Sequence, residues 1–361
     1  MRILFLAMNL GSGGAERQMV TVASLLKDRG YDVEFVCYSE GDFYLNLLEE
    51  RSIPVYWKIE PNYFKRMLSI RHFIRHGKYD AVISFLETPN FLNNFSALGG
   101  RTWKVITGER SAQEKTFESV KSKVFCWFQR FSDIIVCNSE NAKQMWVKHF
   151  PQYGKKLRVI YNTVTLQSIT SRYIAKRNNK LHIVVAASYQ YLKNPIGLVN
   201  ALSLMSVEER DKVYIDWYGK KEVLTGDTRA YDEARELIEK NRLESVINLH
   251  GNSKEIHDRM NEADVVALFS RVEGLPNVIC EGMTIGKPII MTKISDYRVL
   301  VDDSNGFLCD WNQPESIKEV IVAAANQNVQ QLIYKGEQSK QKAMELFKKE
   351  SVLKSWIELL K

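Results

Sequence analysis

The chain has 361 residues, which is too long for one ordinary core and suits two domains of roughly 150–200 residues each. Its 45% hydrophobic and 26% charged residues are typical of a globular protein and exclude wholesale disorder. The apolar runs are strand-sized, far short of the ~20 residues that a membrane-spanning helix needs. The 5 cysteines are scattered without a C-x-x-C pair, which argues against a disulfide framework or a zinc site and indicates a reducing cytoplasm.

The basic excess lies in one half of the chain. Residues 1–164 carry 23 Lys/Arg and 16 Asp/Glu, a net charge of +7, whereas the remainder carries 27 of each. Such an imbalance suits an anionic partner, namely a phosphate-bearing acceptor, a lipid surface or nucleic acid.

The first half alternates between strand-like and helix-like patterns, which predicts a parallel sheet covered by helices on both faces. Strands are predicted at residues 2–7, 32–38, 55–57, 81–85, 104–108, 134–138 and 158–162. Helices are predicted at residues 15–29, 43–50, 64–75, 120–131 and 140–149.

A second alternation of the same kind follows a polar, aperiodic segment. Its strands are predicted at residues 182–187, 214–219, 247–251, 265–270, 288–291 and 306–308. Its helices are predicted at residues 195–205, 231–241, 254–261, 277–285, 314–327 and from 330 to the end, with a break near residue 350. The predicted domains are 1–165 and 181–345, with a linker at 166–180 and a final helix over 346–361 that can cross back to the first domain. A ligand is expected in the cleft at the carboxyl ends of the strands of the two sheets.

A glycine-rich loop, NLGSGGAER, joins the first strand to the first helix. Gly11, Gly13 and Gly14 allow the backbone to turn tightly and to direct its amides toward an anion at the positive end of a helix. The loop imitates the dinucleotide fingerprint G-x-G-x-x-G, but Glu16 stands at the third glycine position and would repel a pyrophosphate. A nicotinamide site is therefore disfavoured, and a simple tight turn is the alternative.

The segment 270–288, SRVEGLPNVICEGMTIGKP, contains the most specific pattern in the chain. Pro276 suits a first helical position, so backbone amides at this helix start form a cradle for a diphosphate. Glu273 precedes the cradle and Glu281 follows inside the helix, where each carboxylate could accept hydrogen bonds from sugar hydroxyls. The alternative is that both belong to a solvated helix start. The cradle amides are those of Gly274, Leu275 and Asn277.

The pattern E-G-L-P-N-x-x-x-E-G-M-x-x-G-K-P-I-I resembles the E-x(7)-E signature of the retaining family-4 glycosyltransferases of GT-B fold. The resemblance implies an α/β protein of two doubly wound, Rossmann-like domains facing a central cleft. The N-terminal domain would bind the acceptor, and the C-terminal domain the nucleotide-sugar. Further matches in family order are the loop Gly11–Arg17, Asn162 in VIYNTV, Lys193 in YLKNP, Gly286–Pro288 and Asn305–Gly306.

The resemblance also implies roles for individual residues. Glu281 would bind the ribose hydroxyls, Glu273 the transferred sugar, and Lys193 the donor diphosphate together with the cradle amides. The base would be recognised largely by backbone near His250–Asn252. In retaining enzymes of this fold the leaving phosphate is thought to deprotonate the acceptor, so a protein nucleophile need not exist. The loop from the opposite domain would approach the phosphates or the acceptor through Gly13, Gly14, Glu16 and Arg17.

Two departures from the family pattern concern charged positions. Ser188 stands where the family usually has an arginine, so one diphosphate contact is missing or supplied by another cation. Glu109 and Arg110 stand where many relatives have a histidine near the sugar, which is typical of polysaccharide-assembly members with a GGAER-like loop. The candidate substitute cations are Arg17, Arg110 and Lys220.

Neither a metal nor another resident cofactor is expected, because no Asp-x-Asp dyad or other carboxylate cluster of metal-holding spacing stands out. The donor is expected to be a UDP-sugar, since UDP is the commonest donor nucleotide in the family. The acceptor is expected to be a glycan or lipid-linked oligosaccharide, in the synthesis of a surface polysaccharide such as a capsule or lipopolysaccharide.

A basic, aromatic segment at residues 63–79 predicts an amphipathic helix. Such a helix suits an anionic membrane, where a lipid-linked acceptor would be found. The expected location is therefore peripheral, at the inner face of the cell membrane, with a similar contribution from residues 121–131. The alternative is a solvated surface helix. The cations of the segment are Lys65, Arg66, Arg71, Arg75 and Lys78.

Two other functions remain as alternatives, and a third is disfavoured. A GT-B-fold UDP-sugar 2-epimerase shares the two-sheet architecture but would not be expected to carry E-x(7)-E. An inactive sugar-nucleotide-binding module is suggested by Ser188. Nucleic-acid binding would explain the basic half but not the 270–288 segment, so no nucleic-acid partner is expected.

Overall fold

The computed structural model describes residues 1–110, 117–164, 166, 169–170, 179–222 and 226–361. These residues form two compact units, the first made of Met1–Thr163 and Lys349–Lys361, the second of Val164–Lys348. Most of the predicted linker, 166–180, lies outside the described residues.

The first unit is built on a parallel sheet of seven strands in the order β3-β2-β1-β4-β5-β6-β7. The strands are β1 (Arg2–Ala7), β2 (Asp32–Cys37), β3 (Val55–Trp57), β4 (Ala81–Phe85), β5 (Lys104–Glu109), β6 (Ile134–Cys137) and β7 (Leu157–Val159). The helices between them are α1 (Gly14–Asp28), α2 (Leu45–Glu49), α3 (Tyr63–His76), α4 (Glu87–Ser96), α5 (Val120–Phe128) and α6 (Glu140–His149).

The central strands β1 and β4 are apolar along nearly their whole length because helices cover both faces of the sheet. On one face, Phe5 stacks on Phe35 of the neighbouring strand, with ring centroids 5.1 Å apart. Leu4 and Leu6 point to the other face and pack with Ile70 and Ile74 of α3. This two-sided burial confirms the predicted parallel sheet.

The second unit contains a parallel sheet of six strands in the order β10-β9-β8-β11-β12-β13. The strands are β8 (Leu181–Ala186), β9 (Val213–Tyr218), β10 (Ile247–His250), β11 (Val265–Leu268), β12 (Ile289–Thr292) and β13 (Gly306–Cys309). The helices are α7 (Pro195–Ser203), α8 (Val207–Arg210), α9 (Arg229–Lys240), α10 (Ile256–Glu262), α11 (Asn277–Ile285), α12 (Tyr297–Leu300), α13 (Pro314–Ala325) and α14 (Val329–Phe347).

The last helix, α15 (Lys349–Leu360), belongs to the first unit although it follows the second in sequence. Trp356 is buried with its ring centroid 5.9 Å from that of Phe85. The Nζ of Lys104 donates to the carbonyl of Leu359 at 3.1 Å. The final helix therefore completes the core of the first sheet.

Each sheet has a point where the strand order reverses, and this point determines where a ligand binds. The reversal lies between β1 and β4 in the first unit and between β8 and β11 in the second. In open parallel sheets, ligands bind outside the carboxyl ends of the strands at such a point. The loops that follow β1 and β4 in the first unit and β8 and β11 in the second are therefore the candidates for function.

One substantial helix, α4, was not predicted from the sequence. It begins after Leu86, whose φ is +74°, and its inward face carries Asn90, Asn93 and Asn94, all buried. Because these polar side chains interrupt the apolar periodicity of a helix, the sequence analysis assigns no helix to this segment. Among the described residues, no helix combines the length and apolar character needed to cross a bilayer.

Candidate active site

Lys193 and Glu273 lie together at the strand-order reversal of the second sheet. Lys193 follows β8 and Glu273 follows β11, the neighbouring strand, and their side chains form an ion pair through Nζ and Oε1. The hydroxyl of Ser270 donates to the same Oε1 at 2.8 Å. The sequence placed both residues in a donor site, and the structure joins them across 80 positions of the chain.

The loop that carries Lys193 is fixed by its neighbour Asn194. Asn194 adopts the left-handed conformation, with φ +64° and ψ +42°, which asparagine tolerates better than most residues. Its side-chain amide donates to the carbonyl of Trp311 at 2.9 Å. The amide of Arg271 donates to the carbonyl of Leu192 at 2.7 Å, which ties this loop to the one after β11.

The start of α11 lies in the loop that follows Glu273. The helix begins at Asn277, and Pro276 is its N-cap rather than its first residue as predicted. The positive end of the helix dipole therefore follows Glu273 by four residues, and such a helix start suits an anionic ligand. The predicted cradle residues are half-buried Gly274, buried Leu275 and half-buried Asn277.

Glu281 lies inside α11 and is 9% exposed. Its Oε2 is 3.5 Å from Nε2 of His257, a buried residue of α10. The sequence offered no signal for His257, because the contact depends on how α10 packs against α11.

Ser188 follows β8 and accepts a hydrogen bond from the side chain of Gln190 at 2.9 Å. The amide of Tyr189 donates to the carbonyl of Lys220 at 3.0 Å, which brings the exposed Lys220 next to this loop. The close approach needs Gly219, because a Cβ there would lie 1.9 Å from the carbonyl oxygen of Ala187. Of the three candidate substitute cations, Lys220 is the one in the second unit.

His250 ends β10 with its side chain on a face of the sheet. Its Nε2 lies 2.6 Å from Oδ1 of the buried Asp216, and His182 holds the other oxygen at 2.9 Å. Burial alone would raise the pKa of Asp216, but the hydrogen bonds from both histidines hold it below its usual value. The carbonyl of His250 accepts from the hydroxyl of Tyr189 at 2.8 Å, so Tyr189 links the end of β10 to the loop of Ser188.

In the first unit, the glycine-rich loop caps α1. Gly13 is the N-cap residue, and a Cβ there would lie 2.1 Å from Oε2 of Glu16. The carboxylate of Glu16 thus lies against the backbone of Gly13, which only glycine permits at this distance. Gly14 is the first residue of α1, and Arg17 donates its backbone N–H to the carbonyl of Gly13 at 3.0 Å.

Glu109, at the carboxyl end of β5, is the centre of a buried polar cluster. Its Oε1 accepts hydrogen bonds from Asn90 at 3.0 Å and from Gln129 at 2.8 Å. Burial raises the pKa of Glu109 to about 7, with the two amides acting in the opposite direction. Asn90 and Gln129 were missed by sequence analysis.

Arg110 contacts the other residues at this edge of the first sheet. Its guanidinium carbon lies 3.7 Å from the ring centroid of Phe85, and Nη1 donates to the side chain of Asn162 at 3.1 Å. Burial lowers the pKa of Arg110 to about 10. The structure therefore brings together two residues, Arg110 and Asn162, that the sequence singled out separately.

Four of the five cations of the predicted basic segment lie in α3, and Lys78 follows the helix. Arg66 donates to one backbone carbonyl, that of Glu60 at 3.2 Å, whereas Arg71 and Arg75 each donate to three. Arg71 donates to the carbonyls of Phe95, Ser96 and Leu98, and Arg75 to those of Ser96, Leu98 and Gly100, at distances of 2.6–3.1 Å. These bonds satisfy carbonyls at the end of α4. Lys65 and Lys78 are exposed, and Arg66 is half-buried. Arg71 and Arg75, which the sequence analysis placed near an anionic surface together with the other three cations, are half-buried and hydrogen-bonded within the first unit.

No group of three or more His, Cys, Asp or Glu side chains with a geometry suited to a metal ion occurs in the part of the chain that the structure describes.

Two family models match the chain, "Glycosyl transferases group 1" over residues 169–349 and "Glycosyltransferase Family 4" over residues 12–168. The amylovoran biosynthesis glycosyltransferase AmsD of Erwinia amylovora is 25% identical, with 97% of this chain and 96% of the relative covered. The UDP-Gal:alpha-D-GlcNAc-diphosphoundecaprenol alpha-1,3-galactosyltransferase of Escherichia coli is 22% identical, with 89% and 87% covered.

Solved structures share the fold over the full chain. HepE of Anabaena in complex with UDP superposes with a TM-score of 0.86 at 19% identity, covering 100% of this chain and 99% of that one. The lipopolysaccharide outer core galactosyltransferase WaaB superposes with a TM-score of 0.78 at 14% identity, covering 100% and 99%.

Proposed function

Since the chain belongs to the group 1 glycosyltransferases of family 4, which are retaining enzymes with the GT-B fold, we propose that it transfers a sugar from a UDP-sugar to a lipid-linked glycan in surface polysaccharide synthesis. The observation that carries the proposal is the Lys193–Glu273 ion pair beside the N-terminus of α11. A cation, a carboxylate and a positive helix end are the groups that a diphosphate-linked sugar needs.

In the proposed donor complex, Lys193 and the amides of Gly274, Leu275 and Asn277 bind the diphosphate. Glu273 binds hydroxyls of the transferred sugar, and Glu281 binds the ribose. Without a donor, Lys193 and Glu273 neutralise each other. When the donor binds, the diphosphate would become the partner of Lys193 and the sugar hydroxyls would become the partners of Glu273. Lys220 then supplies the positive charge that Ser188 lacks.

The proposed reaction exchanges one bond at the anomeric carbon. The bond from this carbon to the diphosphate oxygen breaks through an oxocarbenium-like transition state, and the acceptor oxygen bonds on the same face. The acceptor's proton passes to the departing diphosphate. Because negative charge develops on that group, Lys193 and the oriented amides of α11 stabilise the transition state more than the bound donor. We propose that no metal ion is needed, because Lys193 and these amides stabilise the negative charge on the departing diphosphate.

Two relatives support UDP and a lipid-linked acceptor. HepE was solved with UDP, and the Escherichia coli relative is named as a galactosyltransferase that uses UDP-Gal and GlcNAc-diphosphoundecaprenol. For this chain we propose a UDP-sugar and a sugar-diphosphate-lipid of the same chemical class. The loop of Gly13, Gly14, Glu16 and Arg17, together with Glu109 and Arg110, would bind the acceptor.

We propose that α3 holds the first unit on an anionic membrane where this acceptor is found. Lys65 and Arg66 on the helix and Lys78 just after it supply the charge, and exposed Phe64 and Leu68 on the helix supply apolar contact. Aromatic and aliphatic side chains beside lysine are typical of helices that lie in the membrane interface. Binding of this kind is reversible and weakens with salt.

The test is acceptor-dependent release of UDP. The native chain is incubated with a panel of UDP- and GDP-sugars, with and without lipid extract containing sugar-diphosphate-polyprenol, and with and without EDTA. We expect UDP release that requires the lipid and persists in EDTA. Conversion of a UDP-sugar without acceptor would indicate the epimerase, and UDP binding without turnover an inactive module. Loss in EDTA that manganese restores would contradict the metal-free reaction.

A further inference from the structure

Glu281, the residue proposed to bind ribose, is in contact with a neighbouring helix. Its side chain is 11% exposed, and its Oε2 lies 3.5 Å from Nε2 of His257, whose side chain is 7% exposed. His257 is in α10 and Glu281 in α11, 24 positions apart, so the contact exists only because the two helices pack together. Nothing in the E-x(7)-E pattern accounts for this histidine.

A glutamate side chain has three rotatable bonds, and holding it in one rotamer costs conformational entropy when a ligand binds. An imidazole N–H beside one carboxylate oxygen attracts and orients the group before the ligand arrives. Such preorganisation improves affinity without adding a contact to the ligand. His257 is suited to this task because it is buried and cannot swing into solvent.

The other basic residue nearby on α10 is already paired. Arg259 contacts Glu255 at 2.9 Å and Glu262 at 3.2 Å on its own helix, and its side chain is 40% exposed. It therefore provides a matched control on the same helix.

We infer that His257 is a positioning residue for donor binding, which holds the Glu281 carboxylate toward the ribose of the nucleotide. This inference rests on the proposed function, since it requires a nucleoside diphosphate to bind beside α11. It makes His257 part of how the protein distinguishes a ribonucleotide from one that lacks the ribose hydroxyls.

The test compares UDP with 2′,3′-dideoxy-UDP by titration calorimetry. The proteins are the native chain, His257→Leu, His257→Gln, Glu281→Gln, the double variant His257→Leu/Glu281→Gln and the control Arg259→Gln. Native protein should prefer UDP by roughly tenfold or more, the value of a charge-assisted hydrogen bond. His257→Leu should lose most of that preference with unchanged affinity for the dideoxy compound, and His257→Gln, which keeps an amide donor, should restore part of it.

Two further results are expected. The double variant should bind UDP no more weakly than Glu281→Gln, because both changes remove one shared interaction. In the transfer assay, His257→Leu should raise the donor KM and leave kcat nearly unchanged, since the ribose contact is the same in the ground and transition states. Arg259→Gln should match the native chain in every measurement.

The inference is overturned if His257→Leu keeps the native ratio of the two affinities. This covers both the case in which neither affinity changes and the case in which both fall by the same factor, as with a purely structural residue. If His257→Leu does not fold by circular dichroism, His257→Asn gives the same ratio, because its shorter amide cannot reach Oε2. A native chain that binds neither ligand contradicts the proposed donor site itself, which separates that failure from failure at the variant.

Discussion

Lys193 places a positive charge where the donor diphosphate is proposed to leave. Lys193→Met keeps the length of the side chain and removes the charge. We expect kcat to fall by roughly 10²–10³-fold, the cost of removing one charge-stabilising donor, and the donor KM to change much less. Steady-state kinetics with varied donor measure both. Lys318→Met is the control, since Lys318 pairs with Glu209 at 3.1 Å in the same unit, outside the proposed site. A higher KM at constant kcat would contradict this role.

Glu109 should make the stability of the protein depend on pH. Burial raises its pKa to about 7, so between about pH 4.5 and 7 the folded state holds a proton that the unfolded state releases. The free energy of unfolding should therefore fall as pH rises through this window, by on the order of 3 kcal/mol. Glu109→Gln keeps a carbonyl acceptor for Asn90 and Gln129 and removes the charge, so it should remove this slope.

Urea denaturation at pH 5 and pH 8 measures the difference. The control is Glu118→Gln, a change at an exposed carboxylate of the same unit, which should keep the native pH dependence. An unchanged slope in Glu109→Gln would show that Glu109 does not titrate in this window.

At the residue scale, sequence analysis identified those residues of the candidate site that lie within one short segment or that match a residue of the glycosyltransferase family pattern. Glu273, Glu281 and Lys193 are of this kind. His257 and Asn90 are not, because their partners are reached only through packing between helices or between a helix and the sheet. The sequence does not distinguish a buried histidine or asparagine from one in a loop. Its function depends on the residues that contact it in the folded protein.

At the scale of elements, the amphipathic and wholly apolar segments were predicted well and α4 was not. Its buried residues combine apolar contacts, made by Phe91 and Leu92, with hydrogen bonds made by asparagine side chains. The side chain of Asn93 donates to the carbonyl of Val82 at 3.1 Å, and that of Asn94 to Gln129 at 3.2 Å. The buried asparagines interrupt the apolar periodicity by which a helix is recognised in a sequence, so the segment was not predicted as a helix.

The basic segment at residues 63–79 gives a prediction that distinguishes the cations proposed to face the membrane from Arg71 and Arg75, which bond carbonyls near the end of α4. Replacing Lys65, Arg66 and Lys78 with glutamine should abolish co-sedimentation with anionic vesicles, since each basic residue near such a surface contributes about 1 kcal/mol. Native protein should bind anionic but not zwitterionic vesicles and should be released by high salt, because the attraction decays over roughly 8–10 Å. The donor affinity should not change.

Two controls accompany this test. Glutamine at the exposed residues Lys240, Arg242 and Lys348 of the second unit removes the same charge and should leave vesicle binding intact. Arg71→Gln should lower the free energy of unfolding, because it removes hydrogen bonds to the end of α4. Equal binding of native protein to neutral vesicles, or none at low salt, would make α3 an ordinary surface helix.

At the scale of the whole molecule, the alternation of strands and helices was enough to predict two parallel sheets. The order of strands within each sheet was not predicted, because it depends on which crossover packs on which face. That order is what makes β8 and β11 neighbours and so joins Lys193 to Glu273. The site is therefore a consequence of topology as much as of its residues.

The central claim is that this chain transfers a sugar with retention at the anomeric carbon, using the site at the end of the second sheet. Proton NMR of the product made from an α-linked UDP-hexose and a lipid-linked acceptor tests it most directly. The account predicts that the new glycosidic bond is α and that its anomeric proton shows the small coupling of that configuration. A β-linked product, formed by the native chain and absent with Lys193→Met, would contradict it.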